Sequence, residues 1–494
     1  MNGPFTVEQY LLADYPRTLF PLVTTSFLVQ HFSSELKAFL YNTVLNRASV
    51  SPGFVVQQRC YAAKSGHNLR RTVKLDPVAE FFIYDIVFRN RKFFRSDHRV
   101  SRRSFGYRFV GGHPESATEA YADYKSALAQ ARAKHPLTLK ADIATYFNSI
   151  YHHDLVNTVR AIGWADSDTE ALGQFLRELN AGRSVDCLPQ GVHPCKVLGS
   201  EFLRFVDNSY KLRSEVGIRF LDDIHFFDVD ERTLRSDLTV LQQLLGEKGL
   251  SLNDSKTALG RMAVVDVPQE VDEIKRTLLQ IRRQILAVSG EPVAVESVVR
   301  VTLDPLQMEY LIDLLGTPDI EESDAELVLV LLRDHAEAVF PKMLEVLARY
   351  PGLTKNLYHY ARLASDPTGL DDLLVKLLSD CPNATEYQLF WLAKIAEDFL
   401  AKSDKLGDIL MSVFDHPNST MISRAKVLEI QDRRFGLPEL REEVLRSARS
   451  DWEAWAAATG SRCDTAAGRN HLLTYFARGS PINSLIAECI RSLP

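Results

Sequence analysis

The chain has 494 residues, 46% hydrophobic and 25% charged, with a formal charge of −6. At roughly 150 residues per domain this implies about three domains, and the composition excludes a disordered chain, a coiled-coil rod and a collagenous repeat. No apolar run approaches the ~18–20 residues that span a bilayer, and residues 1–30 lack the pattern of a secretory leader. The six cysteines at 60, 187, 195, 381, 463 and 489 form no CxxC pair or Cys/His ladder. A cytoplasmic protein without a membrane partner, disulfide framework or zinc site is expected.

Charge is unevenly spread. Residues 1–300 hold 38 basic and 34 acidic side chains, and residues 301–494 hold 20 and 30, so two parts with different work are implied. The basic charge peaks between Arg59 and Arg108, with 13 Lys or Arg against Asp76, Glu80, Asp85 and Asp97. Within it, 89–110 alternates cations with Phe93, Phe94, Phe105, Tyr107 and Phe109, which predicts two β segments joined by a polar turn. Cations interleaved with aromatics suit phosphate and base contacts together, whereas the plainer reading is a solvated hairpin.

Downstream, 116–134 predicts an amphipathic helix and LTLKADI (137–143) a strand. YFNSIYHHDLVNTVRAIG predicts a turn into a helix, with His152 and His153 as surface residues at its start. A helix over 169–181 precedes CLPQG (187–191), a turn opening a helix over 196–209. RFLDDIHFFDV (219–229) predicts a hairpin carrying Asp222 and Asp223 at its tip. Strands alternating with helices define an α+β core. From about residue 300 strand signals disappear, and helices are predicted over 306–316, 324–338, 340–349, 370–380, 385–400, 420–432, 437–448 and 465–478. Paired units at 35–45 residue spacing suggest a HEAT-like α-solenoid.

Asp142 and the Asp222–Asp223 pair lie in otherwise apolar strands, where carboxylates are costly to bury unless a cation compensates them. Oxygen-only ligands favour a hard ion such as Mg²⁺, and converging carboxylates are what two-metal phosphoryl transfer requires.

These elements occur in the order that defines reverse transcriptases, which the chain resembles over roughly 59–262. KADIATYFNSIYHH (140–153) resembles the first palm motif, LPQGV (188–192) the nucleotide-contacting turn, FLDD (220–223) the Tyr-x-Asp-Asp motif and GLSLNDSKT (249–257) the motif after it. The resemblance implies Asp142 and Asp222 as ligands of two Mg²⁺ ions per site, Asp223 as an assisting acid beside the primer end and third metal-side carboxylate, and Gln190 as a nucleotide contact. It further implies Phe147 as the aromatic that excludes a ribose 2′-hydroxyl, and Lys256 as the acid for the leaving pyrophosphate. Arg95, Arg102, Arg103 and Arg108 are the candidates for the triphosphate. Arg219 matches a family feature, with a strand arginine bridging carboxylates as the alternative. Phe220 stands in place of the usual tyrosine, Asn148 where many relatives have proline, and Val192 and His193 where small residues are usual.

The implied fold is a right-hand-like fingers-palm module followed by an all-α HEAT-like domain. Its parts are N-terminal helices and fingers over 1–136, a palm over 137–265, a thumb-like or linker segment over 266–300 and a helical repeat domain over 301–494. The acidic helical tail is similar to that of bacterial abortive-infection reverse transcriptases of the AbiK kind. This implies an anti-phage defence DNA polymerase acting on deoxynucleoside triphosphates, an assembly of several copies, and a DNA product that in such relatives can be protein-primed, covalently attached and untemplated. The alternatives are a templated enzyme working with a noncoding RNA, and an inactive scaffold whose helical tail binds a phage or host protein.

Overall fold

A computed structural model of the chain describes residues 5–46, 52–64, 68–94, 101–181, 188–260, 303, 305–317, 320–332, 335–363 and 369–493. Its strands are β1 (Gln58–Lys64), β2 (Asn68–Lys74), β3 (Arg102–Phe105), β4 (Phe109–Val110), β5 (His113–Pro114), β6 (Leu137–Asp142), β7 (Val216–Phe220), β8 (Asp223–Asp228) and β9 (Ala258–Gly260). Packing divides the chain into two compact units. One takes residues 1–18, 47–57 and 79–298, and the other 19–46, 58–78 and 299–494. No described helix is long and apolar enough to cross a membrane, and the five described cysteines are free.

The first unit is built on a five-stranded sheet in the order β3-β7-β8-β6-β9. Alternation along each strand sends successive side chains to opposite faces. On one face Phe105, Ile218 and Phe227 pack under Tyr124, Ala127, Leu128 and Ala131. Those four lie on the helix Ala117–Lys134, whose spacing of buried residues is that of one helical stripe and whose start is capped by the Ser116 hydroxyl accepting from the Glu119 N–H. On the other face lie the helices His193–Phe202 and Arg204–Asp207, the first of which is buried along most of its length.

The basic segment departs from the predicted hairpin. Arg91–Phe93 forms a short 3₁₀ turn, and β3 runs parallel to β7, from Arg102 opposite Gly217 to Phe105 opposite Phe220. The aromatic–basic alternation is therefore that of a sheet strand, with Phe105 toward the core. The hairpin in this region is β4–β5, closed by Gly111-Gly112, both at positive φ, a turn that glycine pairs favour. A helix that charge counting overlooked, Pro77–Arg89, starts at a proline behind Asp76, whose side chain accepts from the Val78 N–H.

In the second unit, β1 and β2 pair antiparallel, and the helices Val23–His31 and Ser33–Phe39 belong with the C-terminal helices. Tyr61 N–H donates to Glu386 at 3.1 Å, the Trp452 indole N–H to the Leu75 carbonyl at 3.3 Å, and Val23 N–H to Glu429 at 2.6 Å. From Pro305 onward every described element is helical. Four helices beyond those predicted, Thr354–Leu363, Leu406–Phe414, Trp452–Gly460 and Pro481–Arg491, complete a pattern in which alternate helices are neighbours. Helices starting at 354, 386, 421, 452 and 481 form one such row. Its steps of 29 to 35 residues are shorter than the predicted 35 to 45, because Gly407, the Pro351-Gly352 turn and the all-round apolar WEAWAAATG segment hide helical periodicity from the sequence.

A buried ionic knot holds this unit. The Lys426 ammonium, fully buried, pairs with Glu397 and with Glu429, the latter at 2.6 Å. Burial alone would lower the Lys426 pKa, but the two carboxylates hold it above its ordinary value. Lys426→Met leaves the buried Glu429 without an ion-pair partner and Glu397 with Lys394 alone at 3.2 Å, so a loss of roughly 3–5 kcal/mol is expected. Urea unfolding followed by circular dichroism would measure it.

Candidate active site

Strand β6 ends at Asp142, which stands directly opposite Asp223 at the start of β8. Strand β7 ends at Phe220, also opposite Asp223, so Leu221 and Asp222 are the two residues of the turn. Directly opposed residues of an antiparallel pair share a face with Cβ atoms about 4.5–5.5 Å apart. The sheet thus brings Asp142 beside Asp223 with Asp222 adjoining. Leu221 turns at φ +55°, a conformation that costs a branched side chain and persists only where the surroundings impose it.

Arg219 imposes it. Its buried guanidinium donates to the Leu221 carbonyl at 2.9 Å, to the Ser200 carbonyl at 3.1 Å and through Nε to Asp207 at 2.9 Å. Of the two sequence readings of Arg219, it therefore pairs with a helix carboxylate and simultaneously holds the backbone of the Asp222 turn. Phe220, in the place of a tyrosine, packs against Tyr107, Tyr121 and Tyr124. At Gly106 a Cβ would stand 2.8 Å from the Phe220 ring, so only glycine fits that approach.

The segment 249–257 is stitched to the end of β6. Asn253 N–H donates to the Asp142 carbonyl at 2.7 Å and Ala144 N–H to the Ser251 carbonyl at 2.9 Å. The Asn253 side-chain amide donates to the Asp142 carboxylate at 3.2 Å, and the half-exposed Lys256 ammonium lies 3.5 Å from it. Asn253 is a contact that sequence reasoning passed over, although it sits three residues before Lys256.

Burial, reinforced by Asp142 and Asp223, pushes the Asp222 pKa up to about 6, with Lys256 opposing. Asp223 is raised as well, chiefly by burial and then by Asp142, against Lys140, Lys125 and Lys256. Among the described residues no three His, Cys, Asp or Glu side chains stand close enough to enclose an ion, and the Asp142 carboxylate faces Asn253 and Lys256. The donor chemistry nonetheless fits a hard divalent cation: only carboxylate oxygens, two of them in a setting that resists their charge.

Phe147 and Gln190 come together beside this tip. Leu188 N–H donates to the Phe147 carbonyl at 2.8 Å, and the Gln190 amide to Asn148 Oδ1 at 3.4 Å, so the asparagine that replaces a proline anchors the glutamine. Phe147 rests on Gly199, and Tyr146 donates to the Gly199 carbonyl at 2.6 Å. His193, which opens the next helix, is braced by the N-terminal helix Val7–Asp14: its N–H donates to Asp14 at 2.9 Å and its Nδ1 lies 2.6 Å from the Tyr10 hydroxyl.

The basic candidates are scattered in role. Arg95 lies outside the described residues. Arg102 donates to the Ser101 and Leu212 carbonyls, and Arg108 to Glu115 and the Ser104 carbonyl. Arg103 is half-buried beside the Phe105 ring, with its Nε buried and lacking a hydrogen-bond partner. His152 is buried, contrary to its expected surface position, because it opens the helix His152–Ala161 on its inner face, while His153 is exposed.

Residues 95–307 match the family described as reverse transcriptase (RNA-dependent DNA polymerase). The chain accordingly carries a nucleotidyltransferase domain. That segment is similar to reverse transcriptases, whose family binds nucleotides and nucleic acids, and the match indicates an enzyme of the RNA-directed DNA polymerase type. Similar solved structures include apo telomerase from Candida tropicalis, at 11% identity, TM-score 0.34, 79% of this chain and 74% of that one. Another is telomerase from Candida albicans with the TWJ fragment of telomeric RNA, at 13% identity, TM-score 0.29, 72% of this chain and 61% of that one. No curated protein matches.

Two outcomes follow from this geometry. Arg219→Lys keeps a charge but not the fork, so kcat for deoxynucleotide addition is expected to fall on the order of 100-fold with KM little changed, a split that steady-state kinetics resolves. In metal-free protein Asp222 carries a folded pKa above its unfolded value, so stability falls as pH rises from about 4 through about 6. Asp222→Asn should therefore raise Tm at pH 8 in EDTA, an effect on the order of 2–3 kcal/mol that vanishes below pH about 4.

Proposed function

We infer that this chain is an anti-phage defence DNA polymerase of the reverse transcriptase type, extending a DNA strand with deoxynucleotides at the tip of the β6–β8 pair. The observation that carries the reading is Asp142 opposite Asp223, with Asp222 in the adjoining turn and Lys256 at 3.5 Å from Asp142. Asp142 and Asp222 would hold two Mg²⁺ ions with Asp223 assisting. When bound, these supply activation of the attacking oxygen and neutralisation of the leaving pyrophosphate.

The chain's own groups do the rest. Lys256 delivers a proton to the leaving pyrophosphate, a role suited to a cationic acid beside developing phosphate charge. Phe147 guards the sugar, Gln190 meets the incoming nucleotide, and among the basic candidates Arg103, with its Nε unpartnered, is the one best suited to the triphosphate. The thumb or linker expected over 266–300 lies outside the described residues, and residues 1–136 act as N-terminal helices and fingers, 137–265 as palm and 301–494 as the HEAT-like region. The alternating helix neighbours support this last assignment. Protein priming, untemplated synthesis, a homo-oligomeric state and a cytoplasmic setting complete the reading.

Incubating purified protein with Mg²⁺ and each labelled deoxynucleotide tests it. Incorporation by wild type that disappears in Asp142→Asn and Asp222→Asn is expected. Incorporation surviving both would dismiss the site, and none in the wild type would favour a scaffold. Phe147→Ala should admit ribonucleotides, and unchanged sugar discrimination would move the guard to another residue. Protection of bacteria in phage plating assays, lost in Asp222→Asn, tests the defence role. The cation-rich stretch Arg59–Arg108 favours, as the second reading, templated synthesis on a bound RNA. Such protein would purify with a 260 nm excess and release it with rising salt.

A further inference from the structure

The turn that carries Gln190 has little stiffness of its own. Gly191 stands at φ +91°, and the helix it leads into, His193–Phe202, starts after Val192 without a side-chain cap from its own segment. The direction in which Gln190 points is therefore set by what grips the chain on either side. Upstream the grip is the Leu188 N–H on the Phe147 carbonyl. Downstream it is His193, and what holds His193 is the helix Val7–Asp14, whose Tyr10 lies 183 positions away in the chain.

Asp14 Oδ2 accepts from the His193 N–H at 2.9 Å and also from the Tyr84 hydroxyl, so a carboxylate from another helix caps a helix start, where negative charge is favoured. The His193 Nδ1 lies 2.6 Å from the Tyr10 hydroxyl, which is 1% exposed and has no other hydrogen-bond partner among the described residues. Were Nδ1 to carry the proton, the tyrosine proton would be buried without an acceptor, a costly arrangement. Tyr10 therefore donates and Nδ1 accepts. Burial, with Asp14 and Cys195 adding to it, raises the Tyr10 pKa well above its ordinary value and keeps the donor in place. The His193 ring also stands 5.7 Å from that of Tyr107, which in turn stands 5.7 Å from Phe220, the residue that enters the Leu221–Asp222 turn. One imidazole thus connects the Gln190 turn to the N-terminal helix and, through Tyr107, to the aspartate turn.

We propose that Tyr10, Asp14 and His193 are positioning residues for the incoming nucleotide, their hydrogen bonds fixing the Gln190 turn in its binding orientation. Tyr10, buried as it is, touches no nucleotide and acts only through His193. This rests on Gln190 meeting the nucleotide, as read above, and extends the nucleotide site to the helix Val7–Asp14. A bond that served the fold alone would behave differently: its loss would lower Tm and the active fraction and leave the affinity of the folded molecules as it was.

The test is isothermal titration calorimetry of a deoxynucleoside triphosphate on the full chain, with Ca²⁺ in place of Mg²⁺ so that binding is read apart from turnover. Tyr10→Phe deletes one oxygen and keeps the ring contacts. It is expected to raise Kd about tenfold at unchanged stoichiometry and Tm, a misplaced contact being costly without any loss of fold. Asp14→Ala is expected to raise Kd as much, and Asp14→Asn, which keeps an oxygen for both donors, to restore most of the affinity. Gln190→Ala weakens binding by itself, and Tyr10→Phe added to it costs nothing more, since both changes remove the same contact. A wild-type Kd in Tyr10→Phe would overturn the proposal. So would a loss that adds in full to that of Gln190→Ala, or a lower Tm and stoichiometry at unchanged Kd. Wild-type affinity in Gln190→Ala would overturn it as well, by removing the contact to be positioned. The two readings fail separately. Tyr10-dependent nucleotide binding in a wild type that incorporates nothing upholds the positioning role and refutes the polymerase, whereas incorporation lost in Asp222→Asn with Kd indifferent to Tyr10→Phe upholds the polymerase and refutes the positioning role.

Discussion

Crowding of like charge at one end of a sheet governs this molecule. Burial resists ionisation of Asp222 and Asp223, and the mutual repulsion of three carboxylates adds to it. What surrounds the tip answers that repulsion. Lys256, Lys140 and Lys125 oppose it electrostatically, Asn253 donates to Asp142, and the register of β6 on β8 leaves the acids no freedom to separate. A site that holds its charges at a cost before any ligand arrives is already shaped for a divalent cation.

Rigidity comes from behind the sheet. Arg219 grips the carbonyl of a strained Leu221 while its charge is met by Asp207, so a single buried fork connects the turn to the helix layer. A second brace reaches from Asp14 and Tyr10 to His193, at the start of the helix that follows Gln190. The segment carrying Gln190 and the turn carrying Asp222 are therefore anchored to different helices, and the Gln190 amide reaches Asn148, in the segment that follows Asp142.

The ordered motifs around Asp142, Gln190, Asp222 and Lys256 were legible because each sits at an element boundary with a short-range signature: an apolar strand ending in an acid, a Pro-Gln-Gly turn, a two-residue hairpin. The spacing of Tyr124, Leu128 and Ala131 likewise announced the helix above the sheet. Partners that depend on chain reversal stayed hidden. Asp207 reads as one more helix acid until Arg219 points at it, and Asn253 gains meaning only through the bridge between Ile143 and Leu252. The charge run at 89–110 misled because alternation marks a strand without saying which strand it joins. The Gly111-Gly112 turn was a signal present in the sequence and passed over.

The hydrogen bond from Tyr61 to Glu386 joins residues 325 positions apart. During synthesis, at about 5–20 residues per second, the β1–β2 ribbon emerges roughly 15–65 s before the helix that covers it. Over that interval its backbone edges have no native cover, and a ribosome-bound intermediate must be kept from pairing with other chains. The same interleaving means that a stop codon after residue 298 would strip native partners from residues 19–46 and 58–78, which fold with the C-terminal helices.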